Sequence, residues 1–158
     1  MTSAATLIIR NGLIVDGSGA KPFVGDIKIV DGLIAEVGSV SGTAEKEIDA
    51  KGMLVTPGFV DIHTHYDGQV TWSNKLASSS QLGVTTVVMG NCGVGFAPCK
   101  EEHRGIMMRL MEGVEDIPGI VLEEGLPWNW STFAEYLDRL EGNIGVNAAF
   151  LVGHCALR

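Results

Sequence analysis

The chain has 158 residues, 46% hydrophobic and 19% charged, which supports one sizeable core and excludes a disordered, highly charged polypeptide. Eleven basic against nineteen acidic residues leave a net charge of −8, which argues against nucleic-acid binding and against docking on anionic membrane. Glycine is the compositional outlier at 21 residues, and without a three-residue period it signals turns and close backbone approaches.

The N-terminal ten residues carry no basic region and only a short apolar run, so they do not read as a signal peptide. No stretch approaches the ~18 apolar residues of a spanning helix. Cys92, Cys99 and Cys155 are an odd number and form no secreted-type disulfide framework. These features predict a cytoplasmic protein, where a cysteine serves chemistry or metal binding more often than crosslinking.

The first part of the chain reads as short strands and tight turns. Residues 7–15 and 25–30 are rich in β-branched side chains, and 33–37 and 53–55 add two shorter strands. Asn11-Gly12, Asp16-Gly17 and Asp31-Gly32 separate apolar runs as hairpin signals, because both central residues of the favoured turn need positive φ. Residues 49–52 are expected to turn the chain before the last of these strands. Residues 1–56 therefore form a β-rich segment with no evident chemistry.

Pro57-Gly58 marks a change of pattern, and residues 57–158 alternate strands with helices. A strand over 58–65 is followed by a helix in the polar stretch 72–81. The β-branched run 83–89 is of the kind buried on both faces in parallel sheets. A helix with a Met/Ile/Leu stripe spans 101–112, and 113–130 reads as irregular because Pro118, Gly119, Gly125 and Pro127 break any period. Thr132 and Glu135 form a capping box that opens a helix over 133–140. A third buried strand, 144–152, runs into Gly153-His154-Cys155. Strand–helix alternation predicts an α/β architecture with parallel strands.

Chemistry-bearing residues collect at the carboxyl ends of these strands, where α/β folds bind ligands. His63 and His65 stand two apart on a strand and so point to one face, close enough to grip one cation. Asp61 shares that face and is placed to orient an imidazole or reach the metal's surroundings. Cys92 follows the next strand among Gly90, Gly93 and Gly95, and its thiolate is a third candidate ligand. His154 repeats the placement after the third strand, as a residue touching metal or substrate. Cys99 and Cys155 read as structural. Trp72, Trp128 and Trp130 read as packing residues, with walling of a cleft as the alternative. An imidazole–thiolate set favours zinc over magnesium or calcium.

The run Val55-Thr-Pro-Gly-Phe-Val-Asp-Ile-His-Thr-His65 resembles the opening of the amidohydrolase superfamily. Val84-Thr-Thr-Val-Val-Met-Gly-Asn-Cys-Gly-Val-Gly-Phe-Ala-Pro98 narrows this, because it looks like the D-aminoacylase (N-acyl-D-amino-acid deacylase) family. Residues 111–119 and 153–158 look like further family segments, although Cys155 stands where the family usually has glycine. The resemblance implies a metal-dependent (β/α)₈ barrel preceded by a small β-sandwich-type domain, the chain ending after about three barrel strands. It implies His63 and His65 as metal ligands, and Cys92 where many relatives place a carboxylated lysine. One or two zinc ions would serve hydrolysis of the amide of a small-molecule N-acyl-D-amino acid. The remaining ligands and the aspartate general base would come from later strands. The 158 residues alone are then expected to be inactive and to self-associate through an exposed sheet edge. Two other readings are a hydantoinase- or dihydroorotase-like ring opener, which typically carries lysine in the bridging role, and a non-catalytic metal-binding scaffold.

Overall fold

The computed structural model describes residues 5–158. They fall into two compact units, one ending at Pro57 and the other running Gly58–Arg158.

In the first unit, β1 (Ala5–Ile14), β2 (Phe23–Val30), β3 (Leu33–Gly38), β4 (Ala44–Asp49) and β5 (Leu54–Val55) form one sheet. The order is β3-β2-β1-β4, with β5 also paired to β1. The β1–β2 and β2–β3 pairs are antiparallel, while β4 and β5 run parallel to β1. Asp31 and Gly32 turn the β2–β3 hairpin with φ of 50° and 77°, as their sequence predicts.

Asn11-Gly12 departs from the same expectation. It lies inside β1, where the register with β2 shifts between Ile9 and Gly12, and Asn11 takes a φ of 59°. This is a bulge held by distant partners. The Asn11 N–H donates to Asp26 Oδ1 at 2.9 Å, and its side-chain amide donates to Asp49 Oδ1 at 3.0 Å. A local turn signal does not register such tethers. Strand β4 carries no strand signal of its own, being the charged run AEKEID. It is extended because β1 offers it a parallel edge, reinforced by Arg10 pairing with Glu47 at 3.1 Å. On this sheet Val24, Leu33, Ile34 and Leu54 stay exposed.

The second unit carries β6 (Phe59–Thr64), β7 (Val84–Met89) and β8 (Asn147–Phe150) as a parallel sheet in that order. Helices fill the connections: α1 (Ala77–Gln81), α2 (Arg104–Glu115), α3 (Gly119–Gly125) and α4 (Phe133–Leu140), with α5 (His154–Leu157) following β8. The mixed α/β architecture with parallel strands is thus as expected, but three elements differ in extent.

The helix expected over 72–81 is only α1 plus a 3₁₀ turn at Gln69–Thr71, because Leu76 enters the left-handed region with φ 45° and interrupts it. The segment 113–130 is not irregular throughout. Helix α2 continues to Glu115, Asp116 stops it with φ 53°, and Pro118 serves as the N-cap of α3. Proline lacks only the N–H that a helix start leaves unpaired, so it begins a helix as readily as it ends one. Strand β8 covers four residues of the nine expected and is half-exposed rather than buried. It stands at the edge of the sheet, while β7 lies inside with Val87 and Met89 fully buried.

The core of this unit is built around Leu76, Phe96, Met111, Leu122, Trp130 and Tyr136, packed on β7. Two buried polar atoms find backbone partners across the fold. Trp130 Nε1–H donates to Phe96 O at 2.8 Å, and Tyr136 O–H donates to Asp67 O at 2.8 Å. Trp130 is a core residue as expected, whereas Trp72 is 44% exposed. Helix α4 begins with the capping box expected from Thr132 and Glu135. Among the described residues no helix is long and apolar enough to cross a membrane.

The junction after β7 is the tightest backbone approach in this unit. Gly90 has φ 78°, and a Cβ there would meet the carbonyl of Leu151, whose N–H donates to Met89 O at 2.9 Å. Gly90→Ala combines a left-handed alanine with a backbone clash, so an unfolding free energy lower by about 2–4 kcal/mol is expected. Urea titration of the variant checks this; an unchanged midpoint would mean that the backbone gives way freely.

Candidate metal centre

Strand β6 carries His63, and His65 follows directly beyond its end. Between them Thr64 points the other way, is buried, and donates its hydroxyl to Val88 O at 2.9 Å. That bond ties β6 to β7 and fixes the face on which both imidazoles emerge. Their ring centroids are 5.4 Å apart, with planes inclined by 43°. Asp61 does not orient a ring: its Oδ1 accepts from the His63 N–H at 3.2 Å and braces the strand end.

The chain leaves β7 through a tight turn in which Gly93 N–H donates to Gly90 O at 3.0 Å. Asn91 anchors the turn to the neighbouring strand by donating to Ile62 O at 2.9 Å. Cys92 is thereby held with its Sγ 3.8 Å from His65 Nδ1, and Val94 N–H donates to that sulfur at 3.4 Å. The donor atoms of His63, His65 and Cys92 all lie within 4.8 Å of one another. Two imidazoles and a thiol form a borderline-soft set that suits zinc or a related transition cation far better than magnesium or calcium.

His154 opens α5 beside this turn. A Cβ on Gly93 would lie 3.6 Å from His154 Cβ, and Cys155 N–H donates to Gly93 O at 2.9 Å. Its side chain is exposed and stands outside the three-donor group. Cys99 is buried, and that burial pushes its thiol above the usual range, while Cys155 is exposed. All three cysteines are free thiols.

An open cleft of about 340 Å³ borders the centre, lined by Asp61, His63, His65, Tyr66, Ser79 and Glu115 among others. Two carboxylates here carry no signal in the sequence. Glu115, the last residue of α2, places Oε1 3.2 Å from His65 Nε2. Asp67 is 4% exposed, and its Oδ2 has no hydrogen-bond partner. Burial, with the charge of Glu115 as a smaller cause, pushes the Asp67 carboxyl up to about 7. Glu115 reaches the site from another element fifty residues on, so no local spacing marks it. Asp67 lies two residues from His65, but its burial comes from Gly95 and Tyr136 packing over it.

Comparison with known proteins adds a second line of evidence. The model of the amidohydrolase family matches residues 46–158. The D-aminoacylase of Alcaligenes xylosoxydans xylosoxydans is 35% identical over 154 residues, which cover 96% of this chain and 30% of that protein. A D-aminoacylase structure described for its binuclear metal centre superposes with a TM-score of 0.79 at 34% identity, over 97% of this chain and 30% of its own. An N-acyl-D-glutamate deacylase of Bordetella bronchiseptica, solved with zinc and a phosphonate mimic of the tetrahedral intermediate, matches at TM-score 0.79. It is 31% identical, over 98% of this chain and 31% of its own. The chain thus spans about 30% of the length of these relatives.

Proposed function

Since this chain belongs to the amidohydrolase family, we propose that it forms the metal-binding front of a hydrolase that cleaves the amide of N-acyl-D-amino acids. The observation that carries this reading is the convergence of His63, His65 and Cys92 at the carboxyl ends of two adjacent parallel strands. Similarity to D-aminoacylase and to N-acyl-D-glutamate deacylase over nearly the whole chain supplies the substrate class.

In this reading β6, β7 and β8 are the first strands of a (β/α)₈ barrel, and further strands pair on the open sheet edge. The N-terminal sheet belongs to a small β-domain whose exposed apolar residues await a covering layer. A reducing cytoplasm suits the site, because it keeps Cys92 available as a thiol.

His63, His65 and Cys92 would hold one or two zinc ions. When bound, zinc supplies Lewis-acid polarisation of the acyl carbonyl and a more acidic water. The protein's own contribution is pre-organisation. Thr64 and Asn91 lock the two strand ends together, and the Val94 N–H directed at Sγ helps hold the sulfur in place. His154, beside the Cys92 turn, would line the substrate pocket. The remaining ligands and the aspartate general base would come from the rest of the barrel.

Turnover by the complete polypeptide tests the reading. Release of free D-amino acid from N-acyl-D-amino acids is expected, with little from the L-isomers, and a chelator should abolish it. A folded, zinc-loaded protein that leaves these amides intact would sink the proposal.

A further inference from the structure

We infer that Tyr66 and Ser79 act as one hydroxyl pair that donates a single hydrogen bond to the substrate, at an oxygen of the acyl carbonyl or of the carboxylate. The inference rests on the deacylase reading above and extends it to residues outside the donor group.

The two hydroxyls lie 2.7 Å apart, Tyr66 Oη against Ser79 Oγ. They line the same open cleft as His63 and His65. Each hydroxyl carries one hydrogen, and one of the two is spent on the bond between them. Whichever oxygen donates, the other keeps a free O–H. Neither hydroxyl donates to any other group among the described residues. The pair therefore borders the cleft with one unspent donor. A substrate whose scissile amide lies at the two imidazoles brings two kinds of oxygen acceptor into that cleft, the acyl carbonyl and the carboxylate.

Both members of the pair are fixed from outside the cleft. The Tyr66 ring packs on the core, and its carbonyl accepts from Val70 N–H at 2.8 Å. Ser79 is the third residue of α1. Its N–H, one of those that a first turn leaves without an intrahelical partner, donates to Tyr66 Oη at 3.3 Å. Leu76, just before that helix, is fully buried, and Leu82 N–H donates to Ser79 O at 3.0 Å. An O–H held on such a frame loses little side-chain freedom when it meets a ligand oxygen.

Kinetics of the complete, zinc-loaded polypeptide on N-acetyl-D-leucine test this with Tyr66→Phe, Ser79→Ala and the double variant. Each single variant still holds one free O–H, so its kcat/KM is expected within about fivefold of wild type, whereas the double variant should lose about 10–100-fold. A pair that only braces α1 behaves in the opposite way: its bond is gone after the first substitution, and the second adds little. Raised KM with unchanged kcat in the double variant assigns the O–H to the carboxylate. Lowered kcat with unchanged KM assigns it to the acyl oxygen, where charge grows in the transition state.

A double-variant loss no greater than the product of the two single losses overturns the inference. Should the double variant not fold, Tyr66→Phe with Ser79→Cys takes its place, because the thiol fills the same position and is only a weak donor. The deacylase reading fails separately, if a folded, zinc-loaded wild type leaves the amide intact. Calorimetric binding of N-acetyl-D-leucine then decides the pair: weaker binding by the double variant supports it, and equal or absent binding overturns it.

Discussion

Cys92→Ala is expected to lower zinc affinity by about 100-fold or more, since even partners behind a ligand are worth roughly 10–100-fold. The substitution removes the only sulfur in the donor group and leaves two imidazoles, one on β6 and one just beyond it. A zinc site takes three or four protein donors, so losing the one donor that follows β7 leaves the ion to the two imidazoles and whatever the rest of the barrel would add. The loss should be local. Cys92 is exposed, and its turn is held by the Gly90–Gly93 hydrogen bond and by Asn91, neither of which involves the sulfur. Metal analysis of the purified variant, alongside its denaturation midpoint and the turnover of the complete polypeptide, reads all three quantities. Zinc and activity should fall together while the midpoint holds. Full zinc stoichiometry in the variant would reduce Cys92 to a small packing residue.

A second large effect concerns Asp67 in the metal-free protein. Its carboxyl is buried, has an oxygen without a partner, and is pushed from 3.8 up to about 7 by that burial. Between those two values the folded chain holds a proton that the unfolded chain has released, so stability must fall as pH rises through this window. It is fully present below about pH 4 and lost by about pH 7, a drop on the order of 4 kcal/mol. Asp26, Glu47 and Glu135 act in the opposite sense. Hydrogen bonds from Asn11, Arg10 and Thr132 respectively are the leading causes that hold their carboxyls low, so their contribution disappears as the solution becomes acidic. Asp67→Asn isolates the buried carboxyl, because it alters one titration and leaves the others. Chemical denaturation from pH 4 to 8 in the presence of chelator should give a stability curve for the variant that lacks the fall. Parallel curves for the two proteins would show that Asp67 is solvated in the fold.

Helix α4 and the β2–β3 hairpin were legible because their signals are local. Thr132 with Glu135, and Asp31 with Gly32, satisfy or permit their own backbone within four residues. The donor group was legible for a related reason. Alternation along a strand puts His63 and His65 on one face, and the resemblance around Cys92 is continuous in the chain. Strand β4 and the Asn11 bulge were not legible, because each depends on a partner thirty or more residues away, Arg10 pairing with Glu47 and Asn11 with Asp49. The extent of β8 was misjudged for want of a neighbour: an apolar run reads as buried until the sheet shows that it lies at an edge.

By itself, then, the sequence determined the alternation of strands and helices after Pro57 and the family, and it singled out His63, His65 and Cys92 as candidate donors, all of which rest on residue type and short spacing. Only the tertiary structure decided which groups stand beside those donors. Glu115 meets His65 because α2 packs Met107 and Met111 into the core, and Asp67 loses its water because Gly95 leaves room for the chain to close over it. Electrostatic reach and desolvation are properties of distance in space. A linear pattern carries them only where neighbours in space are also neighbours in the chain.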